Sequence, residues 1–400
     1  MYQEHLHLMA EYHLHLHQLI QEHKQIVTVT VIILLIVIVR ERYIMFKLHF
    51  RDKNNEKHIM YYDQHTSELL DHNKNPFVVQ NEKNLVWKEA IKISKDNPGT
   101  KVKAPSTLKI QLGLGCNYSC SYCLQSSQIH KATASSTKDA EIFIKTLDQW
   151  LEGSPKRIEF WGGEPLLYWK KIELLAPELQ KRFPNAEYLI ITNGTLFNKE
   201  IIDKLDEWNF GVGVSHDGPG QAVRGDDPFM DKEIKKNIDY AVSILGKKRK
   251  MSFNSVLTSV NYDVEKIISW FEKVYPEIPV TFEGVVHDYN GEGTNSRFSE
   301  DQLQDLTKNL TLQIIYGSVV QGSIATKMKE FADSIIDRRP SSALYQKCGM
   351  DMQDKLAVDL LGNVITCQNV SSAETAMNGN SHKIGTLDDY DNVKLDTSTH

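Results

Sequence analysis

Between residues 106 and 290 short apolar runs alternate with longer amphipathic stretches, and this alternation leaves few choices of fold. The candidate strands are Leu108–Leu114, Arg157–Trp161, Tyr188–Thr192, Gly211–Ser215, Ser252–Leu257 and Val280–Val286. The segments between them read as helices. In one, Ala140, Phe143, Leu147 and Trp150 recur at steps of three, four and three, with Ser136 and Asp139 at capping-box spacing in front. Strands separated by helices pair in parallel, because each must cross back over the sheet before the next begins. The class is therefore α/β with a parallel sheet; periodicity does not decide whether that sheet is open or curled into a barrel. Cys116, the Gly162-Gly163-Glu164 turn, Thr192-Asn193-Gly194 and Ser215-His216-Asp217-Gly218 all fall at or just past the C-terminal end of a candidate strand. In parallel α/β folds that edge holds the active site.

The flanks read differently. Residues 1–44 carry six of the 15 histidines, then the apolar run IVTVTVIILLIVIV at Ile26–Val39. Fourteen largely β-branched residues are short of a spanning helix, which needs about 17 or more, so no membrane partner is expected. No small-residue cleavage site follows, and the histidines suggest only adventitious metal binding. This leader reads as upstream sequence outside the fold, which then begins near Met45. MFKLHF and HIMYY form a candidate hairpin about DKNNEK, and Asp96–Lys103 reads as a linker. The expected organisation is a leader (1–44), a small N-terminal β module and linker (45–105), a core (106–298) and a C-terminal extension (299–400).

The formal net charge of −6 gives no reason to expect nucleic acid, and the Lys247–Lys250 run reads as a helix C-terminus. There is no P-loop, and His216 cannot serve Ser215 as a base, since adjacent strand residues point to opposite faces. Five cysteines are too few and odd in number for a secreted disulfide framework. Three of them, Cys116, Cys120 and Cys123, stand in GCNYSCSYC as C-x3-C-x2-C. Three thiolates on a short loop can hold three corners of a cubane [4Fe-4S] cluster, leaving the fourth iron open to bind a substrate or cofactor. The competing reading is a zinc site completed by His130, Cys348 or Cys367.

These motifs, in this order, resemble the radical S-adenosylmethionine (radical SAM) superfamily over residues 106–290. The resemblance implies a partial (β/α)6 barrel of TIM-like type. It also implies S-adenosyl-L-methionine chelated on the open iron, and reductive cleavage to a 5′-deoxyadenosyl radical that abstracts hydrogen from substrate. An external one-electron reductant of flavodoxin or ferredoxin type follows, and the oxygen-sensitive cluster implies a reducing cytoplasm. Residue by residue, Tyr122 matches the aromatic position against adenine. Gly162, Gly163 and Glu164 in FWGGEPLL match the turn receiving the methionine amino group. Asn193, Ser215 and Asn254 match strand-end positions near the ribose and carboxylate. Asp217 is the candidate catalytic residue, as cofactor-orienting group or proton acceptor.

Cys348 and Cys367 frame a further stretch in which LAVDLLGNVIT reads as a β-hairpin about Leu361-Gly362-Asn363. It resembles the opening of a SPASM or twitch extension, which implies an auxiliary iron–sulfur cluster and a peptide or protein substrate. The further cysteines of such an extension do not follow, so Cys348 and Cys367 are candidate ligands only, with truncation as the favoured explanation and two buried thiols as the alternative. Rival functions are a radical SAM activase or small-molecule tailoring enzyme, and a non-catalytic electron-transfer or sensor protein.

Overall fold

The structure is a computed structural model. It describes residues 45–51, 56–63, 68–76, 96–125, 134–283, 298–306, 309, 349–375 and 379–395. The leader 1–44, Cys348 and most of the stretch expected as helices after residue 300 lie outside these residues.

The chain forms two compact units. The described part of the first is an antiparallel sheet of β1 (Met45–Arg51), β2 (Lys57–Asp63) and β3 (Glu68–Leu70), in that order. Met45 lies opposite Asp63 and Arg51 opposite Lys57, the hairpin register expected about DKNNEK.

In the second unit a two-residue strand, β4 (Gly99–Thr100), precedes the main sheet. The main sheet begins with β5 (Thr107–Gln111), β6 (Arg157–Trp161), β7 (Glu187–Thr192), β8 (Phe210–Ser215), β9 (Met251–Val256) and β10 (Val280–Glu283), each parallel to the next. The extension adds β11 (Lys355–Asp359), β12 (Asn363–Ile365) and β13 (Lys383–Thr386), giving nine strands in the order β10-β9-β8-β7-β6-β5-β11-β12-β13. Among the described residues β10 and β13 remain edges, so this is a partial barrel. The connecting helices are α1 (Thr137–Trp150), α2 (Trp169–Arg182), α3 (Lys199–Glu207), α4 (Lys232–Ala241) and α5 (Val264–Val274).

Alternation along the strands sorts the two faces of the sheet. Leu108, Ile110, Ile158, Phe160, Val212, Val214 and Phe253 are buried in the apolar core. Phe160 stacks on Phe210 at 5.5 Å, and Phe253 meets Phe271 of α5 at 4.8 Å. α1 buries Ala140, Phe143, Leu147 and Trp150, and its capping box of Ser136 and Asp139 is complete. The opposite face carries Lys109, Gln111, Glu159, Trp161, Ser215 and Asn254, and near its base Lys109 pairs with Glu159 at 3.1 Å.

The stretch Asp96–Lys103 is no open linker. β4 pairs with β14 (Lys394–Leu395), and the Tyr390 hydroxyl donates to the Val102 carbonyl at 2.8 Å. Buried Lys101 donates through Nζ to the carbonyls of Met350 and Met352. A polar, glycine-containing run is packed here because distant carbonyls meet its donors, which local composition does not reveal.

Candidate active site

The cysteine loop leaves the end of β5 at a glycine hinge, Gly113, with φ of 155°. It is anchored at once. Lys171 Nζ donates to Leu112 O at 2.7 Å, and the Tyr168 hydroxyl accepts from Gly115 N at 2.7 Å. Cys116, Cys120 and Cys123 follow, each half-buried. Burial pushes the Cys116 thiol up and the Cys120 thiol up to about 11, with the neighbouring cysteines adding to the shift. Among the described residues no three His, Cys, Asp or Glu side chains gather as around a single metal ion. A closed zinc site needs four ligands on one point, whereas a cubane takes each thiolate on a different iron.

The Gly162-Gly163-Glu164 turn lies directly against this loop. Gly163 N donates to Gly113 O at 3.1 Å and Glu164 N to Gly115 O at 2.9 Å. A Cβ on Gly163 would fall onto the carbonyl oxygens of Leu114 and Gly115, so backbone meets backbone only because the side chain is missing. Glu164 is 1% exposed. Its carboxylate accepts from Leu166 N at 3.0 Å, Thr192 Oγ1 at 2.6 Å and Asn193 N at 2.7 Å. Burial raises its pKa while those donors oppose the rise. The carboxylate thus ties the turn to the end of β7. Asn193 in turn donates through Nδ2 to Asn117 of the cysteine loop at 2.8 Å.

Tyr122 is buried, and its hydroxyl donates to Asp217 Oδ2 at 2.7 Å while accepting from Arg224 Nη1 at 2.6 Å. Asp217 is fully buried, and its other oxygen accepts from Val256 N at 2.9 Å. Both carboxylate oxygens are therefore engaged, one of them by Tyr122 of the cysteine loop. Burial raises its pKa, against the pull of Arg224. Ser215 and Asn254 sit side by side at the ends of β8 and β9, where Asn254 Nδ2 donates to Glu283 Oε1 at 2.9 Å. The structure thus brings the expected residues to one sheet edge and adds Tyr168, Asn117 and Arg224. Sequence reasoning passed over these three because nothing in their spacing marks them.

Cys367 follows β12. Gln111 Nε2 of β5 donates to Gln368 O at 2.7 Å and Val370 O at 2.9 Å, which fastens that loop beside the end of β5. The hairpin of β11 and β12 turns at Gly362, φ 81°, with Asp359 Oδ1 accepting from Leu361 N and Asn363 N.

His216 is a core residue. It stacks on Phe229 at 4.1 Å, accepts from Gly218 N at 2.9 Å through Nδ1, and faces Asp227 at 3.1 Å through Nε2. Burial, outweighing Asp227, lowers its pKa below the ordinary value. The unfolded chain therefore takes up a proton as pH falls below about 6.5 while the folded chain does not, and stability is lost on the acid side. His216→Gln should show less acid destabilisation than wild type in paired urea titrations as pH falls through about 6.5; equal slopes would refute the assignment.

Residues 110–271, from β5 into α5, match the family model described as the Radical SAM superfamily. The chain is 25% identical over 323 residues to the radical SAM cyclopropyl synthase TigE of Paramaledivibacter caminithermalis, covering 76% of this chain and 66% of that protein. It is 30% identical over 193 residues to the serine-type anaerobic sulfatase-maturating enzyme of Bacteroides thetaiotaomicron, covering 45% of this chain and 39% of that protein. The chain thus spans at most 66% of the length of these curated relatives. A solved structure of hexahistidine-tagged anSMEcpe with bound AdoMet shares the fold, with a TM-score of 0.51, 22% identity, and coverage of 71% of this chain and 78% of that one. The three-cysteine loop, the glycine turn seated on it and the parallel strands that carry both lie within the matched segment, and residues 110–271 form a domain of the radical SAM superfamily.

Proposed function

We propose that this chain is a radical SAM enzyme acting on a peptide or protein side chain. The observation that carries the reading is the convergence of Cys116, Cys120 and Cys123 with the Gly162-Gly163-Glu164 turn and with Asn193, Ser215 and Asn254 at one edge of the sheet. The donor set fits a [4Fe-4S] cluster with one open iron. Three half-buried thiols share a loop, on a segment short enough to present each to a different iron of one cubane. When bound, the cluster and S-adenosyl-L-methionine supply reductive C–S cleavage and hydrogen abstraction.

The chain's own residues bind, orient and shield. The three cysteines hold the cluster. Tyr122, clamped by Asp217 and Arg224, presents its ring beside the third cysteine. Gly162 and Gly163 let the turn seat against the cysteine loop, which sets it to receive the cofactor's methionine end. Glu164 holds Asn193 in place through its backbone N–H, so its part at the amino group is to position the turn. Ser215 and Asn254 line the half-buried face above Lys109 and Glu159, which supplies a polar floor for a substrate side chain.

A peptide or protein substrate is supported by the sulfatase-maturating relative, whose name places its action on a protein. The hairpin and the Cys367 loop beside β5 belong to a SPASM-like extension, with Cys348 and Cys367 as candidate auxiliary ligands. An external flavodoxin- or ferredoxin-type reductant and a reducing cytoplasm complete the proposal, as does the division into a β module (45–105), a core (106–298) and the extension (299–400). Among the described residues no helix is long and apolar enough to cross a membrane.

The test is anaerobic reconstitution of the full chain, then addition of S-adenosyl-L-methionine and dithionite. We expect 5′-deoxyadenosine, and deuterium in it when a deuterated peptide substrate is supplied. A loaded cluster yielding none would leave an electron-transfer protein. Iron near about four per chain would count against the auxiliary cluster, and near about eight would support it.

A further inference from the structure

Arg224 is a cation held at the cysteine loop by geometry that the proposed chemistry does not itself require. It ends the 3-10 turn Gly218–Val223. Just before it, Val223 O accepts from Ser121 N at 2.8 Å, which seats the loop between Cys120 and Cys123 directly on the segment bearing the guanidinium. Nη1 donates to the Tyr122 hydroxyl at 2.6 Å and stands 3.8 Å from Asp217 Oδ1. The side chain is only 10% exposed, and Nε makes no hydrogen bond to a described residue. A guanidinium this deeply placed is costly to desolvate, and an incompletely satisfied one more so.

We propose that Arg224 is a positioning residue whose fixed positive charge raises the reduction potential of the cluster held by Cys116, Cys120 and Cys123. This rests on the reading of those cysteines as cluster ligands. Reduction adds one electron, taken from an external one-electron donor, and makes the cluster one unit more negative; no bond or proton need change. A nearby cation in a poorly screened site stabilises that added charge, and net charge around a cluster is one of the levers that set its potential. Asp217 is partly neutralised by the donors on its two oxygens. Arginine stays charged at any working pH, so the effect is permanent.

The experiment is an EPR-monitored redox titration of the reconstituted full chain without S-adenosyl-L-methionine, on wild type, Arg224→Met, Arg224→Lys and Asp217→Asn. Arg224→Met should make reduction at least about tenfold less favourable, a fall of about 59 mV for one electron. Arg224→Lys should stay near wild type, and Asp217→Asn should move upward. A purely structural role would not move the first and last in opposite directions. A wild-type midpoint in Arg224→Met, or an equal fall in Arg224→Lys, overturns the proposal. Should Arg224→Met fail to load iron, the other two decide: a rise in Asp217→Asn with Arg224→Lys unmoved sustains it, and no rise refutes it. Wild type that binds no cluster would instead sink the ligand reading, and this proposal with it.

Discussion

Cys120→Ala is expected to abolish cluster loading. Iron after anaerobic reconstitution should fall by about four per chain relative to wild type, with a matching loss of visible charge-transfer absorbance. Formation of 5′-deoxyadenosine should drop by at least about 100-fold, since altering even an outer partner of a metal ligand costs up to that much. The fold should survive. Cys120 is half-buried, and the backbone bond from Cys123 N to its carbonyl, 3.0 Å, does not involve the thiol. Thermal stability of the unloaded protein should therefore stay within about 1 kcal/mol of wild type. A variant that keeps its full cluster would contradict the ligand assignment.

The second large effect is expected from a single methyl group. In Gly163→Ala the new Cβ meets the backbone oxygens of Leu114 and Gly115, which cannot swing aside as a side chain tip could. Relief requires the turn to lift off the cysteine loop, and that lengthens the bonds from Gly163 N to Gly113 O and from Glu164 N to Gly115 O. Overpacking of this kind costs about 1–3 kcal/mol in stability. Activity should suffer far more, by about 100-fold, because a displacement of about 1 Å in a positioning element is enough for that. Calorimetry of S-adenosyl-L-methionine binding and 5′-deoxyadenosine assays would show both losses together. Wild-type binding and turnover in a destabilised Gly163→Ala would remove the close approach from the site's working parts.

Much of the sheet could be read in advance. Arg157–Trp161 runs as expected, and β7, β8 and β9 differ by a residue at their ends. β5 is the instructive exception. Apolar alternation continues through Leu112 and Leu114, both buried, but the strand ends at Gln111 because Gly113 turns the chain into the cysteine loop. α1 matched in both its cap and its buried face, since caps and helical periodicity act within a few residues. The site was legible as residue types at strand ends, but not as a network. Glu164 looked like a group for the cofactor, yet its three donors come from residues 166, 192 and 193, two of them a strand away.

Taken alone, the sequence determined the parallel α/β class, the edge of the sheet where the candidate site residues gather, and the short loop that brings three thiols together. Each follows from spacing along the chain: period two for strands, 3.6 for helices, and ligand intervals on one short loop. The tertiary structure decided which distant segments meet. It set β11 beside β5, drew Lys101 onto the carbonyls of Met350 and Met352, and carried Arg224 to Tyr122 across 102 residues. No local rule predicts such pairs. They depend on loop closure and on which buried donor finds which acceptor, and those are settled only when the whole core packs.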